Sequence, residues 1–455
     1  MLPNKKPENQ TSLFFTFEHT LNPHHPLFLL ANRIDWTVFE AAFAPLYCKD
    51  NGRPAKPIRL MVGLLILKHI RNISDESVVE QWSENNYYQY FCGESTFVCG
   101  MPCEASELVH FRRRIGEKGV ELILQESIRV NGKDGHDDTV SIDTTVQEKN
   151  ITYPTDAKLH KKIITKCQQI ASQEQLPVRQ SYTQTLKKLS RDQRFRNHPK
   201  NKAKARKADK RIKTIAGRLV RELERNLPPD SKHLVNLEWY KKVLAQKRTD
   251  KDKIYSLHEP ETCCISKGKE HRKYEFGNKA SFVKTNSGVI VGAMGFRNEY
   301  DGHTLEAALK QVGDLVGKLP KLATVDRGYR GKNQIGGTQI LVPKSPKKNI
   351  SRYQANKLRK LHRKRASIEP IIGHLKQDHR LNRNFYKGIV GDNINIMLAA
   401  AAFNFKRMMN KWKSSFAGFF LKWQIVLLLI LNKRRETTLL ANPINLYPEK
   451  LIWTF

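Results

Sequence analysis

The chain has 455 residues, with 39% of them hydrophobic and 80 Lys and Arg against 44 Asp and Glu, a formal charge of +36. That length exceeds what one core usually holds, so two or three domains are expected, and a compact body so charged repels itself unless a polyanion neutralises it. Seven scattered cysteines, an odd number, exclude a disulfide framework and point to a reducing cytosol. Nucleic acid is the expected polyanion, ahead of an anionic membrane, because basic residues are spread over the whole chain.

The opening MLPNKKPENQ lacks an apolar run and does not read as a signal peptide. From about 20 to 130 the pattern is helical, with apolar residues at helical spacing in IRLMVGLLILKHI (58–70) and SVVEQWSENNYYQYF (77–91). Cys92, Cys99 and Cys103 lie close together but lack zinc-ligand spacing, and read as buried free thiols. In SELVHFRRRIGEKGVELILQESI, Ser106 is placed to cap a helix whose apolar stripe is Leu108, Phe111 and Ile115. Arg112, Arg113 and Arg114 then spread around it, either as phosphate contacts of a small helical DNA-binding domain or as a solvated basic face.

TVSIDTTV (139–146) alternates as a short strand, with Ser141, Asp143 and Thr145 on the face opposite Val140, Ile142, Thr144 and Val146. A strongly basic helical stretch follows from about 156 to 250. Between Lys187 and Arg225 it carries sixteen Lys or Arg against four acids, and it reads as an inserted arm without a core of its own. Its basic face either tracks a phosphate backbone or is merely solvated.

Strands KYEFGNKASFVKT (273–285) and GVIVGAMGF (288–296) form a hairpin turning at Asn286 and Ser287. Asp301 is expected to cap the helix 301–316, with a metal-ligand role as the alternative, and Asp137, Asp138 and Glu148 read as loop charges. Strands KLATVD (321–326) and QILVPK (339–344) precede a long basic helix from about Tyr353 to His379. The order predicts an α/β fold: a ribonuclease H-like mixed sheet flanked by helices, with an insertion after its first strand and a helical domain before it. Near the end, Phe416 to Leu431 is apolar but interrupted by Lys422, too short to span a bilayer, and reads as a packing or dimer helix.

Metal-assisted phosphoryl transfer needs a few carboxylates from separate elements, able to hold two cations and leave coordination positions open. Three acids suit this. Asp143 is a mid-strand charge, where an unpaired carboxylate is expensive; Asp326 ends its strand before the turn RGYRG; Glu369 lies on the late helix. On that helix Arg365 and Lys376 fall near the Glu369 side, and Ile368, Ile371, Ile372 and Leu375 cluster a quarter-turn away. An ordinary Arg365–Glu369 surface pair is the plain alternative. Pro370 should kink this helix or mark a new first turn.

These residues carry a family resemblance. From about residue 14 to 410 the chain resembles the insertion-sequence DDE transposases of family five, within the grouping that includes family four. SELVHFRRRIGEKG resembles their InsH-type N-terminal domain, and SIDTTVQEKNITYPTDAKL, ATVDRGYRG and RASIEPIIGHLKQDHR resemble their three catalytic blocks. The resemblance implies catalytic, metal-binding roles for Asp143, Asp326 and Glu369. It also implies DNA-positioning roles for Arg365 and Lys376, with His362 standing where the family has Tyr. The organisation it implies is a DNA-binding domain at 14–130, a catalytic domain at 136–410 with the insertion at about 156–250, and a tail at 411–455. Two Mg²⁺ ions, with Mn²⁺ as an acceptable substitute, would serve cleavage at element ends and strand transfer into target DNA. The implied partners are terminal inverted repeats, target DNA and a second copy of the chain or more, in the cytoplasm at the nucleoid and without membrane contact. A DNA-binding regulator without activity and a ribonuclease H-like nuclease without strand transfer are the other readings.

Overall fold

The computed structural model describes residues 16–48, 54–247, 249–266, 273–297, 299–331, 333–343 and 351–441. Seven helices come first: α1 Phe17–Thr20, α2 Pro26–Arg33, α3 Trp36–Phe43, α4 Ile58–Arg71, α5 Asp75–Glu84, α6 Asn86–Phe91 and α7 Ala105–Val130. The apolar run that predicted α4 is buried almost all round, from Ile58 to Ile70, because other helices close on it from several sides. α7 is not capped by Ser106, which sits one residue inside it. Its first turn is closed instead by the Glu107 carboxylate, which accepts the Glu104 N–H at 2.9 Å. Gly116, at φ 59° and ψ −161°, bends α7 midway, a conformation open to glycine and strained for other residues.

The sheet is built from β1 Thr139–Lys149, β2 Cys263–Ser266, β3 Tyr274–Thr285, β4 Ile290–Phe296, β5 Leu322–Thr324, β6 Gln334–Ile335, β7 Thr338–Leu341 and β8 Arg383–Asn384. β1 is central, antiparallel to β3 on one side and parallel to β5 and the short β8 on the other. β2 and β4 both pair antiparallel with β3, β7 runs parallel to β5, and β6 closes the far edge. The sheet is therefore mixed, as expected, and the β3–β4 hairpin forms as its turn residues predicted. The three strands absent from the sequence reading, β2, β6 and β8, have two to four residues each, too few to show an alternating pattern.

Between β1 and β2 lies the insertion: α8 Asp156–Gln173, α9 Thr183–Asp192, α10 Pro199–Asn226 and α11 Leu234–Ala245. Contrary to the sequence expectation, it has a core of its own. Ile163, Ile164, Cys167, Ile212, Ile215, Leu219, Leu223, Leu237 and Val243 form a cluster separate from the main one. The expectation failed because the densest charge run occupies the first half of α10, whose apolar stripe is only Ala205 and Ala208 until Ile212. One narrow stripe is enough to seat the helix, and Lys202, Lys204, Arg206, Lys207, Lys210, Arg211 and Lys213 face outward from it.

After the sheet's hairpin come α12 Leu305–Val316, α13 Arg352–Ala366, α14 Ile368–Asp378 and α15 Gly388–Ala441. The long basic helix of the sequence reading is two helices divided at Ser367, with Pro370 in the first turn of the second, where its missing N–H breaks no bond. α15 packs on α4, α7 and β4 through Ile396, Leu398, Ala399, Ala402 and Phe405. Through it the N-terminal helices and the sheet share one continuous apolar cluster. α15 also runs through residue 411 without a break; the side chains of Phe416 to Leu431 lie outside the described residues. Among the described residues no helix is long and apolar enough to cross a membrane.

Where β1 meets β8, a charge is sealed in. The Lys149 ammonium lies 2.7 Å from Asp392 Oδ1 and 3.3 Å from Glu259 Oε2, and donates to the Tyr386 and Gly388 carbonyls. Asp392 also accepts from the Asn278 and Asn384 amides. The Lys149 and Asp392 side chains are 3% and 2% exposed, so β1, β3, β8, α15 and the end of the insertion are joined by a buried polar knot.

Candidate active site

Strand geometry brings the first two acids together. In the parallel pair of β1 and β5, Ser141 lies opposite Thr324, and their hydroxyls meet at 2.9 Å. Two residues further along the chain from this pair come Asp143, still within β1, and Asp326, past the end of β5. Asp143 is opposite the fully buried Phe282 of β3, its side chain 16% exposed, and its Oδ1 accepts the Thr144 N–H at 2.8 Å. Asp326 lies just past the end of β5, where its Oδ1 accepts the Gly328 N–H at 2.8 Å and opens a short 3-10 turn. A side chain at Gly328 would crowd this site, since a Cβ there would stand 3.0 Å from Asp326 Oδ1 and 3.6 Å from Asp301 Oδ2.

The third acid arrives on α14. Ile368 and Leu375 are fully buried and seat the helix beside β1 and α4, leaving the Glu369 side chain 65% exposed over the strand ends. Arg365 stands between the acids: Nη1 is 3.7 Å from Asp143 Oδ2 and Nη2 is 3.6 Å from Glu369 Oε1. The plain i,i+4 pair and the shared site are thus both present, because the same guanidinium reaches both carboxylates.

Burial raises the Asp143 carboxyl to about 6, and the charges of Asp326 and Glu369 add to this against the Thr144 N–H and Arg365. Asp326 and Glu369 are therefore both near enough to act on the partly desolvated Asp143. The oxygens of all three are the hard donors that a divalent cation of the magnesium type takes, and a cation would relieve the repulsion at Asp143, so the donor set fits such an ion. As they stand, no three acid, imidazole or thiol groups among the described residues are gathered tightly enough to enclose a metal. Arg365 fills part of the gap.

A fourth acid belongs to this neighbourhood. Asp301 does not cap α12, whose cap position is Thr304; it pairs with Lys279 of β3 at 2.9 Å. Tyr329 is buried among Asp301, Asp143 and Asp326, and burial with those charges raises its phenol far above the ordinary value. The sequence hid this role because an Asp opening a helix has a simpler explanation, and Lys279 comes beside it only through the strand register.

The basic residues divide. Lys376 is half-buried on the last turn of α14, and the His362 side chain lies outside the described residues. Arg113 and Arg114 are exposed, the latter with its guanidinium 4.3 Å from the centre of the Tyr47 ring. Arg112 is not an outward phosphate contact: it is 5% exposed, both its Nη atoms donate to Asp75 at 2.7 and 2.9 Å, and it stacks on Tyr386. The apolar stripe on α7 is wide enough to take Arg112 inside with it. Asp137 and Asp138 act as loop charges, holding the Ser287 N–H and the pair Lys318 and Lys321; Glu148 lies within β1. The cysteines are free, and Cys92 and Cys103 are buried as expected, whereas Cys99 is exposed.

Residues 15–114 match the Transposase domain (DUF772), and residues 246–405 match the Transposase DDE domain. The chain is 38% identical over 196 residues to "Uncharacterized protein ORF8 in nfe locus" of Rhizobium meliloti, a match covering 42% of this chain and 94% of that protein. No solved structure matches the chain.

Proposed function

Since the chain carries two regions that match transposase domains, the second of them a DDE domain, we propose that it cuts DNA at the ends of an insertion sequence of the family-five kind and joins the freed ends to a target duplex. The observation that carries this reading is the placement of Asp143 on β1 and of Asp326 just past the end of its parallel neighbour β5, with Glu369 tied to Asp143 by Arg365.

In this reading Asp143, Asp326 and Glu369 hold the metal ions, two Mg²⁺ or Mn²⁺. When bound, the ions supply the Lewis acidity that in-line displacement at phosphorus requires. Arg365 has the part of a placeholder: it neutralises Asp143 and Glu369 until the acids take up cations, and then turns to a DNA phosphate. Lys376 lies two helical turns further on, on nearly the same side as Glu369, and grips the flanking strand. The exposed Arg113 and Arg114, with the outer face of α10, hold duplex DNA away from the reacting phosphate. Two ends must meet, so the working form is a homodimer or a larger synaptic assembly, in the cytoplasm at the nucleoid.

Purified protein incubated with Mg²⁺ and a duplex carrying the DNA that flanks its gene should release 3′-hydroxyl ends and join them to a second duplex. Cutting without joining would make the chain a nuclease, and binding without either would make it a regulator. The arm gives an independent measurement. Replacing Lys202, Arg206, Lys210 and Lys213 with Gln should weaken binding of every duplex alike and lower the slope of log K against log salt by about 0.9 for each phosphate that is no longer neutralised. An unchanged slope would assign that face of α10 to solvent.

A further inference from the structure

A cavity of about 680 Å³ opens between the N-terminal helices and the loop that joins β8 to α15. Six basic residues line it against two acids, Asp75 and Glu76. Asp75 is already engaged by Lys68 and Arg112, so the cavity keeps a strong positive excess. In this basic frame stands an aromatic ring that does not pack: Phe385 is 59% exposed, with the Arg380 guanidinium 5.8 Å from its centre.

The exposure of Phe385 is held in place. On one side of it Asn384 is buried, paired with Asp392, and accepts the Tyr386 N–H at 2.9 Å. On the other side Lys149 holds the Tyr386 and Gly388 carbonyls. Tyr386, beneath, has Arg112 and Lys68 at 4.5 and 4.9 Å from its ring centre. A large apolar ring fixed in water among cations needs a partner that is flat, apolar on its faces and negatively charged at its edges. A nucleotide has that chemistry, since every base offers a π-face for stacking and every phosphate a charge. A free phosphate would leave the ring unused, and an apolar peptide would leave the cations unpaired. The volume lies within the roughly 300–1,000 Å³ of small-ligand sites, enough for a nucleotide and too small for a duplex.

The position fits as well. Arg383, on the cavity rim, is the register partner of Glu148, five residues along β1 from Asp143. At ~3.3 Å per residue that is about 17 Å of strand, or roughly five nucleotides at ~3.4 Å each.

We propose that this cavity receives an unpaired nucleotide of the DNA strand engaged at the carboxylates, with Phe385 as its stacking platform and Arg383 and Lys387 on the flanking phosphates. The assignment rests on the reading of the chain as a DNA-processing enzyme, and gives that enzyme a means of holding an opened end.

The test uses the full chain and fluorescence anisotropy with three probes: a short oligothymidine, an abasic oligomer with the same phosphate count, and a blunt duplex. Phe385→Ala should bind oligothymidine about tenfold more weakly than the parent, Phe385→Trp should retain the parent's affinity, and all three proteins should bind the duplex alike. The parent should bind the abasic oligomer no better than Phe385→Ala binds oligothymidine. Undiminished oligothymidine binding by Phe385→Ala, or an equal loss on the duplex, would overturn the assignment and leave the transposase reading standing. A parent that binds none of the probes would overturn both.

Discussion

Replacing Asp143 with Asn is expected to abolish metal-dependent strand cleavage, by at least roughly a thousandfold, in a protein that stays folded and still binds DNA. Asn keeps the shape and one acceptor oxygen for the Thr144 N–H but loses the charge that a cation needs. The stability of the two proteins should separate with pH. In the folded chain Asp143 is raised to about 6 by burial and by Asp326 and Glu369, above the ~3.9 of an unfolded Asp. The stability contributed by the protonated form is fully present below the unfolded value and is lost as pH rises through about 6. In the absence of metal, Asp143→Asn escapes this loss, so it should unfold at a higher temperature than the parent near pH 8 and show no such advantage near pH 3. Added Mg²⁺ should raise the melting temperature of the parent and leave that of the variant where it was. Parental cleavage by the variant, or an equal response to Mg²⁺, would remove Asp143 from the metal site.

The largest stability effect should come from Lys149→Met. Met fits the volume of the Lys stem but leaves Asp392 and Glu259 facing each other, almost fully buried, without their cation. Breaking a buried ion pair from one side costs about 3–5 kcal/mol, and burial already disfavours the charged form of Asp392. Urea titration followed by far-UV circular dichroism measures the loss. The double change Lys149→Met with Asp392→Asn should recover part of it, because only Glu259 is then left as a buried acid without its cation, while an amide can still face Asn278 and Asn384. A single variant within about 1 kcal/mol of the parent would mean that water reaches the knot and screens it.

How much of this was legible in the sequence follows from the range over which each signal acts. Asp143 and Asp326 stood out as candidates because the first sits inside a short alternating run and the second ends a short apolar one, and Pro370 announced the helix break that sets Glu369 at the start of α14. Arg365 was found for a similar reason, at four residues' distance on a helix. What brings the acids to one place is the level register of β1 and β5, which no local pattern states. The pairing of Asp301 with Lys279 and the cavity around Phe385 were missed on the same ground, since each depends on strands or helices distant in the chain. The inward turn of Arg112 depends on Asp75 and Tyr386, 37 and 274 residues away. The core of the insertion was missed through averaging: the charge density of α10 masks a stripe of small and branched residues beneath it.

That separate core bears on how faults spread. The apolar residues of the insertion gather with one another and not with those under the sheet, so a lesion at Ile215 or Leu219 should empty the arm of order and spare the strands that carry the acids. Calorimetry of such a protein would show a low first peak moved to cooler temperatures ahead of an unmoved main one. Substitutions can then accumulate in the arm, generation by generation, without disturbing the sheet.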